Sequence, residues 1–297
     1  MKTSEMARFL RLPSAVAVAY WVAPPLLCFA IYWPGLWAWF QADDFAWLGI
    51  RLDLDTQHNL LHALFAPMAQ GTIRPLSERA YFLVLESIFG LDPLPFRICA
   101  FLTQCANLTL LAAIARRLTG SRAAGFWAAI FWVVNPSLVA AMTWSSAYNQ
   151  VMCGFFLLGA FWLLLRYIET GRISFYIGQW ISFLLGFGAL EINVVYPALA
   201  AAYTLLFARK YFRATLPLFV PSVVFTVVHR VAAPAEIPAA YVLHFDRALP
   251  FTFATPRGSG FRTLPLGHRA IRIKQLGIGR QRVFLQVRHA NALFSGN

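Results

Sequence analysis

Asp43 and Asp44 stand side by side a few residues beyond an apolar run long enough to cross a bilayer. Neighbouring acids repel each other, and such a pair suits a proton acceptor, a cation site, or both. Trp37, Trp39 and Trp47 surround the pair, as expected where amphipathic rings settle at headgroup level. A second carboxylate, Glu191, lies between two apolar runs in Phe187-Gly-Ala-Leu-Glu-Ile-Asn-Val-Val-Tyr-Pro197. At that depth it needs a partner or water, and the competing reading is a hairpin turn at the outer boundary. Arg74, Arg79 and Arg97 form a third group. Guanidinium matches phosphate in bidentate fashion, so these suit a lipid phosphate or pyrophosphate; otherwise they balance nearby acids. Trp144-Ser-Ser-Ala-Tyr-Asn-Gln150, after Asn135-Pro136, is a polar loop that touches a sugar or simply turns.

Other chemistries lack their residues. Cys28, Cys99, Cys105 and Cys153 all fall inside apolar stretches without ligand spacing, so they read as small hydrophobes, with no disulfide and no metal site. Phosphate-cradling glycine loops, zinc helices and nucleophile elbows are missing. Asn107-Leu-Thr109 fits a glycosylation pattern but lies within a span. His229, Arg230, His244 and Asp246 carry a weak signal.

The elements that must hold these groups are membrane helices. The chain is 59% hydrophobic, 12% charged and 16% aromatic, with mean hydropathy +0.60, where soluble domains carry roughly 25% charged residues. A net charge of +13 raises nucleic acid as a partner, yet the basic residues gather at the ends of apolar runs and in the tail, which is an orientation signal. The expected fold is all-α: a polytopic transmembrane bundle of about seven spans, near residues 14–33, 96–115, 122–141, 148–166, 176–190, 193–207 and 214–231. The first run is too long for a signal-peptide core of roughly 7–15 residues. Residues 34–95 form an outer loop holding seven of the twelve acids. Within it, 59–68 and 76–89 read as amphipathic helices lying along the surface, the second too short to cross. Seven crossings place eleven Lys/Arg on the cytoplasmic side. An eighth would put the basic clusters outside, against the positive-inside rule. Asp43, Asp44 and Glu191 then share the outer face and could converge.

Residues 1–232 thus make one transmembrane module. Residues 233–297 read as a basic, non-membrane tail; from 251 onward it has eight Lys/Arg and no acid. Hydrophobicity and acids vanish together there. The expectation is a non-native end, replaced by frameshift or early stop, to be tested by translating the other reading frames for continuing apolar spans.

Several short motifs fall in a familiar order: Asp43-Asp44, Arg74-Pro75-Leu76, Phe89-Gly90-Leu91-Asp92-Pro93, and Phe96-Arg97 through Asn107 to Arg116-Arg117-Leu118. Asn135-Pro136 with Trp144 and Ala189-Leu190-Glu191 through Pro197 follow. Over residues 10–232 the chain resembles the GT-C superfamily of polytopic glycosyltransferases, particularly relatives of the protein O-mannosyltransferases. The resemblance implies a polyprenyl-phosphate sugar donor, a protein or glycan acceptor hydroxyl, and an active site on the outer face of a bacterial inner membrane; the placement of the basic residues has already set nucleic acid aside as a partner. It assigns Asp43 or Asp44 as catalytic base or metal contact, and leaves the cofactor open between none and a divalent metal. Glu191 takes the position of a recurrent glutamate, with Arg74, Arg97 and Trp144 as substrate-binding candidates. Arg97, Ala100 and Gln104 stand where relatives have His, Asn and His, and Leu190 replaces a basic residue. The rival reading is a non-catalytic or degraded polytopic protein; transport is disfavoured because the charges sit at boundaries and no repeat occurs.

Overall fold

A computed structural model describes residues 15–57, 59–67 and 71–232, and the basic tail, residues 233–297, lies outside them. Every regular element among the described residues is helical. In chain order they are α1 (Ala15–Tyr32), α2 (Asp44–Leu48), α3 (Ile50–Gln57), α4 (Leu60–Phe65), α5 (Tyr81–Phe89), α6 (Pro93–Thr119) and α7 (Arg122–Val133). Then follow α8 (Leu138–Thr143), α9 (Tyr148–Thr170), α10 (Ile173–Gly186), α11 (Tyr196–Phe207), α12 (Phe212–Thr215) and α13 (Phe219–Ala232). With no water in a bilayer core, helices satisfy their own backbone groups, which is why apolar runs of this length fold so.

Among the described residues four stretches are long and apolar enough to cross a membrane: Val18–Trp37, Pro93–Thr119, Ser145–Thr170 and Arg209–Ala232. Three shorter apolar helices, Arg122–Val133, Ile173–Gly186 and Glu191–Phe207, occupy the sites of the other three expected spans. The protein is an integral membrane protein, and length carries four of the seven expected crossings. Val220, Val223, Val224, Val227 and Val228 of α13 are all exposed, the stripe a lipid-facing helix presents.

The long helix α9 ties two apolar clusters together. Tyr148 and Val151 belong to one, built with α1, α6 and α7. Ala160, Phe161, Leu164 and Leu165 belong to the other, with Phe183, Tyr196 and Leu218. Small residues bring helices close: a Cβ on Gly125 would stand 2.2 Å from the Tyr20 hydroxyl and 2.5 Å from the Ala112 carbonyl, between which a hydrogen bond of 2.9 Å already runs. Membrane helix packing depends on such contacts. Gly125→Ala is expected to destabilise by about 1–3 kcal/mol through overpacking, while Gly154→Ala, whose nearest neighbour would be 3.4 Å away, is expected to be close to neutral. Thermal unfolding in detergent measures both, and equal midpoints would refute the packing argument.

The loop helices differ from the expectation in one respect. Pro75–Ala80 forms a wider π turn leading into α5, and Ser77, Glu78, Arg79, Tyr81, Phe82 and Leu83 are buried. The first half of this segment therefore enters the bundle and packs against α9 instead of lying along the surface. The anchor is polar. Leu76 and Ser77 donate their backbone N–H groups to Gly188 at 2.9 and 3.3 Å, and the Ser77 hydroxyl donates to Ala189 at 2.7 Å. Periodicity does not foresee backbone partners more than a hundred residues away.

Candidate functional site

The aspartate loop begins on a strained residue. Ala42 has φ +47°, the left-handed region that Cβ disfavours by roughly 1–2 kcal/mol. Its surroundings hold it there. Asp44 N–H donates to the Gln41 carbonyl at 3.0 Å, and Gln41 N–H donates to Asp44 Oδ2 at 3.0 Å. From across the bundle, Trp144 Nε1 donates to the Gln41 carbonyl at 3.2 Å, and Gln41 Nε2 donates to the Thr143 carbonyl at 3.3 Å. Backbone strain maintained by surrounding contacts is a mark of functional loops.

The two aspartates take opposite positions. Asp44 is fully buried; its Oδ1 accepts the Ser146 N–H at 2.7 Å and the Ser146 hydroxyl at 2.5 Å. With Gln41 on Oδ2, the carboxylate receives three donors. Asp43 is exposed, and its main-chain oxygen accepts from the backbone N–H groups of Ala46 and Trp47. Burial and hydrogen bonding together hold the Asp44 carboxylate in place, while Asp43 lies at the surface. Arg97 is buried against the same loop, donating to the Trp39 carbonyl at 3.2 Å and the Ala38 carbonyl at 3.4 Å.

A second polar cluster lies around Arg74. Its Nε donates to Glu191 at 2.8 and 3.0 Å, Nη2 reaches the same carboxylate at 2.8 Å, and Nη1 pairs with Glu78. Glu78 is buried and also accepts from Asn149 Nδ2 at 3.0 Å. Burial pushes the Glu78 carboxyl above its ordinary value, against the pull of the Arg74 guanidinium and the Asn149 amide. One cation thus serves two carboxylates. Arg79 is buried separately, donating to the Ala63 carbonyl at 3.1 Å, and burial lowers its pKa.

The stretch from Ser145 to Asn149 joins the two clusters, because Ser146 holds Asp44 and Asn149 holds Glu78. The structure brings Asp44, Arg97 and Trp144 around one loop and joins Arg74 with Glu191 in another. Glu191 meets Glu78 through Arg74 and makes no hydrogen bond to the aspartates. Sequence reasoning missed Glu78, Ser146 and Asn149 as site residues; the polar run 144–150 was the signal for Ser146 and Asn149, and Glu78 stood as one of the seven loop acids. Among the described residues no group of three His, Cys, Asp or Glu could hold a metal. Asp44 commits three acceptor positions of its carboxylate to protein donors, while Asp43 beside it is exposed.

Beside the Arg74 cluster runs an apolar groove of about 400 Å³, walled by Leu64, Phe65, Ile73, Leu76, Phe187 and Phe225. Pro75, the residue after Arg74, and Gly188 also line it. His229 stacks on Phe225 with ring centroids 6.3 Å apart.

Residues 80–233, just over half of the chain, match the family model described as dolichyl-phosphate-mannose-protein mannosyltransferase. Arg97, Trp144 and Glu191 fall inside the match, and Asp43, Asp44 and Arg74 precede it. No curated protein and no solved structure matches the chain.

Proposed function

The chain belongs to the dolichyl-phosphate-mannose-protein mannosyltransferase family, and from that premise we propose that it moves a hexose from a polyprenyl-phosphate donor to an acceptor hydroxyl at the outer membrane face. Family membership carries membrane glycosyltransferase chemistry with a polyprenyl-phosphate sugar. The outer orientation, the acceptor hydroxyl of a protein or glycan, and a bacterial inner membrane belong to the proposal.

One observation carries the assignment of roles: of the two adjacent aspartates, Asp43 is exposed and Asp44 is buried under three donors. A general base must come within hydrogen-bond reach of the proton it takes, so Asp43 is the base and Asp44 the residue that positions it. Asp43 accepts the acceptor's hydroxyl proton as that oxygen attacks the anomeric carbon. The bond from carbon to phosphate oxygen breaks, and the lipid phosphate departs with the electron pair.

The apolar groove receives the isoprenoid chain. Arg74 precedes the groove-lining Pro75, so its guanidinium is at hand for the phosphate. A preorganised cation there stabilises the charge that grows on the leaving group. Glu78 and Glu191 keep that guanidinium in place until a phosphate competes for it. Arg97, whose contacts go to the loop backbone, supports the aspartate turn, and Trp144 braces Gln41.

Membranes containing the full chain, incubated with polyprenyl-phosphate mannose labelled in the sugar, are expected to transfer label to protease-sensitive or glycan material. Label that stays wholly on lipid, with the protein inserted normally, overturns the reading. Cysteine placed at position 43 is expected to react with a membrane-impermeant maleimide added from the outer side. Reaction only after the cytoplasmic side is opened would remove the active site from the proposed face.

A further inference from the structure

A separate cavity of about 120 Å³ is lined by Gln104, Trp132, Asn135, Ser137, Gln150 and Val151, among others. It lies between α6, the turn from α7 to α8 and the first turns of α9. No charged residue lines it. Its deepest polar group is Gln104, which is fully buried.

The amide orientations follow from the backbone. The Val151 carbonyl can only accept, so the Asn107 atom 2.9 Å from it is the amide nitrogen. That nitrogen lies 3.2 Å from Gln104 Oε1, so Gln104 turns its NH₂ group the other way. Gln104 Nε2 has no hydrogen-bond partner among the described residues, and neither does Asn107 Oδ1. Buried polar groups without partners are rare and carry a desolvation penalty, which makes the open donor of Gln104, a residue of the cavity wall, informative.

We propose that this cavity is a subsite for one neutral pyranose ring. An uncharged lining selects a neutral ligand, and hydroxyl groups can both accept from the open Gln104 amide and donate to the side-chain oxygen of Gln150, which also lines the cavity. Trp132 supplies an apolar wall for the C–H face of a ring, in the manner of pockets that combine aromatic walls with a few placed polar groups. The volume is several times the roughly 10–15 Å³ that one water needs on the same measure, so the cavity has room for a ligand larger than a water. Gln150 follows Ser146 by four residues, about one helical turn along from the aspartate loop. The ring comes from the donor or from a sugar already on the acceptor. The sugar-transfer reading bears only on that source.

Binding is measured without transfer, on the full chain in detergent, by titration calorimetry with methyl α-mannoside, with polyprenyl-phosphate mannose and with polyprenyl phosphate alone. The expected result is saturable binding of a mannose-bearing probe, weakened about three- to tenfold by Gln104→Leu or Gln150→Ala, as loss of one buried or mouth hydrogen bond predicts. Affinity for polyprenyl phosphate alone is expected to stay unchanged in both variants. Binding of the free mannoside identifies an acceptor-side ring, and binding of the lipid-linked sugar alone identifies the donor ring. Because Gln150 is exposed, its variant decides the matter even if Gln104→Leu fails to fold. Sugar affinity unchanged by Gln150→Ala, or no sugar binding by the wild-type chain, overturns the proposal. Transfer that persists in such a case leaves the mechanism above standing, and binding without transfer does the reverse.

Discussion

Asp43→Asn is expected to lower glycosyl transfer by about 10²–10⁴-fold, the contribution of a positioned general base, with the fold intact. The exposed carboxylate takes no side-chain hydrogen bond from described residues, so its amide counterpart disturbs nothing nearby. Asp44→Asn is expected to behave differently. Asp44 receives two N–H groups and one hydroxyl, and an amide would turn one NH₂ donor towards another donor. A lost buried hydrogen bond destabilises by about 1–3 kcal/mol, and the strain at Ala42 leaves this loop little reserve. The pair is separated by measuring the transfer rate at saturating donor together with the thermal midpoint. Asp43→Asn should lose rate alone, and Asp44→Asn should lose both. Full activity in Asp43→Asn, in a protein that inserts normally, removes Asp43 as the base.

Arg74→Met is the second large effect, and it falls on stability. Removing the guanidinium leaves Glu78 and Glu191 without their shared cation, and Glu78 is buried. Breaking a buried pair from one side destabilises by about 3–5 kcal/mol, a fall in thermal midpoint on the order of 10 °C at roughly 2–4 °C per kcal/mol. Adding Glu78→Gln to Arg74→Met should recover part of the loss. The pH dependence has a definite sign. Burial holds the Glu78 carboxyl above its ordinary value, and without Arg74 the largest opposing influence is gone. A group whose folded pKa is raised contributes stability that is present below the unfolded value and lost as pH rises through the folded one. The variant should therefore be relatively more stable in acid and lose stability towards neutral pH. A midpoint equal to wild type at neutral pH would show that Arg74 is not the cation these carboxylates depend on.

Both expectations concern residues whose types were conspicuous in the sequence but whose roles were not. Asp43 and Asp44 are distinguishable only by what covers them, since chain position treats them alike. Glu78 looked like one of several loop acids balanced by arginines. Its burial follows from a π turn anchored on Gly188, a contact no helical periodicity contains. Arg97 matched the pattern of a phosphate ligand, and what chain position did not show is that it donates to two loop carbonyls. Arg74 remained near a lipid-sized groove, but under two carboxylates.

The sequence by itself determined the membrane setting, the all-helical class and the position of the acid pair beside a tryptophan-rich boundary. These follow from composition, run length and local spacing, which act over one span at a time. Only the tertiary structure decided which aspartate is open, which arginine is shared and which amides face a cavity. Ser146 meets Asp44 across 102 positions, Asn149 meets Glu78 across 71, and Arg74 meets Glu191 across 117. Hydrogen bonds and ion pairs depend on a few tenths of an ångström between groups that chain reversal brings together. Local sequence contains no record of that distance.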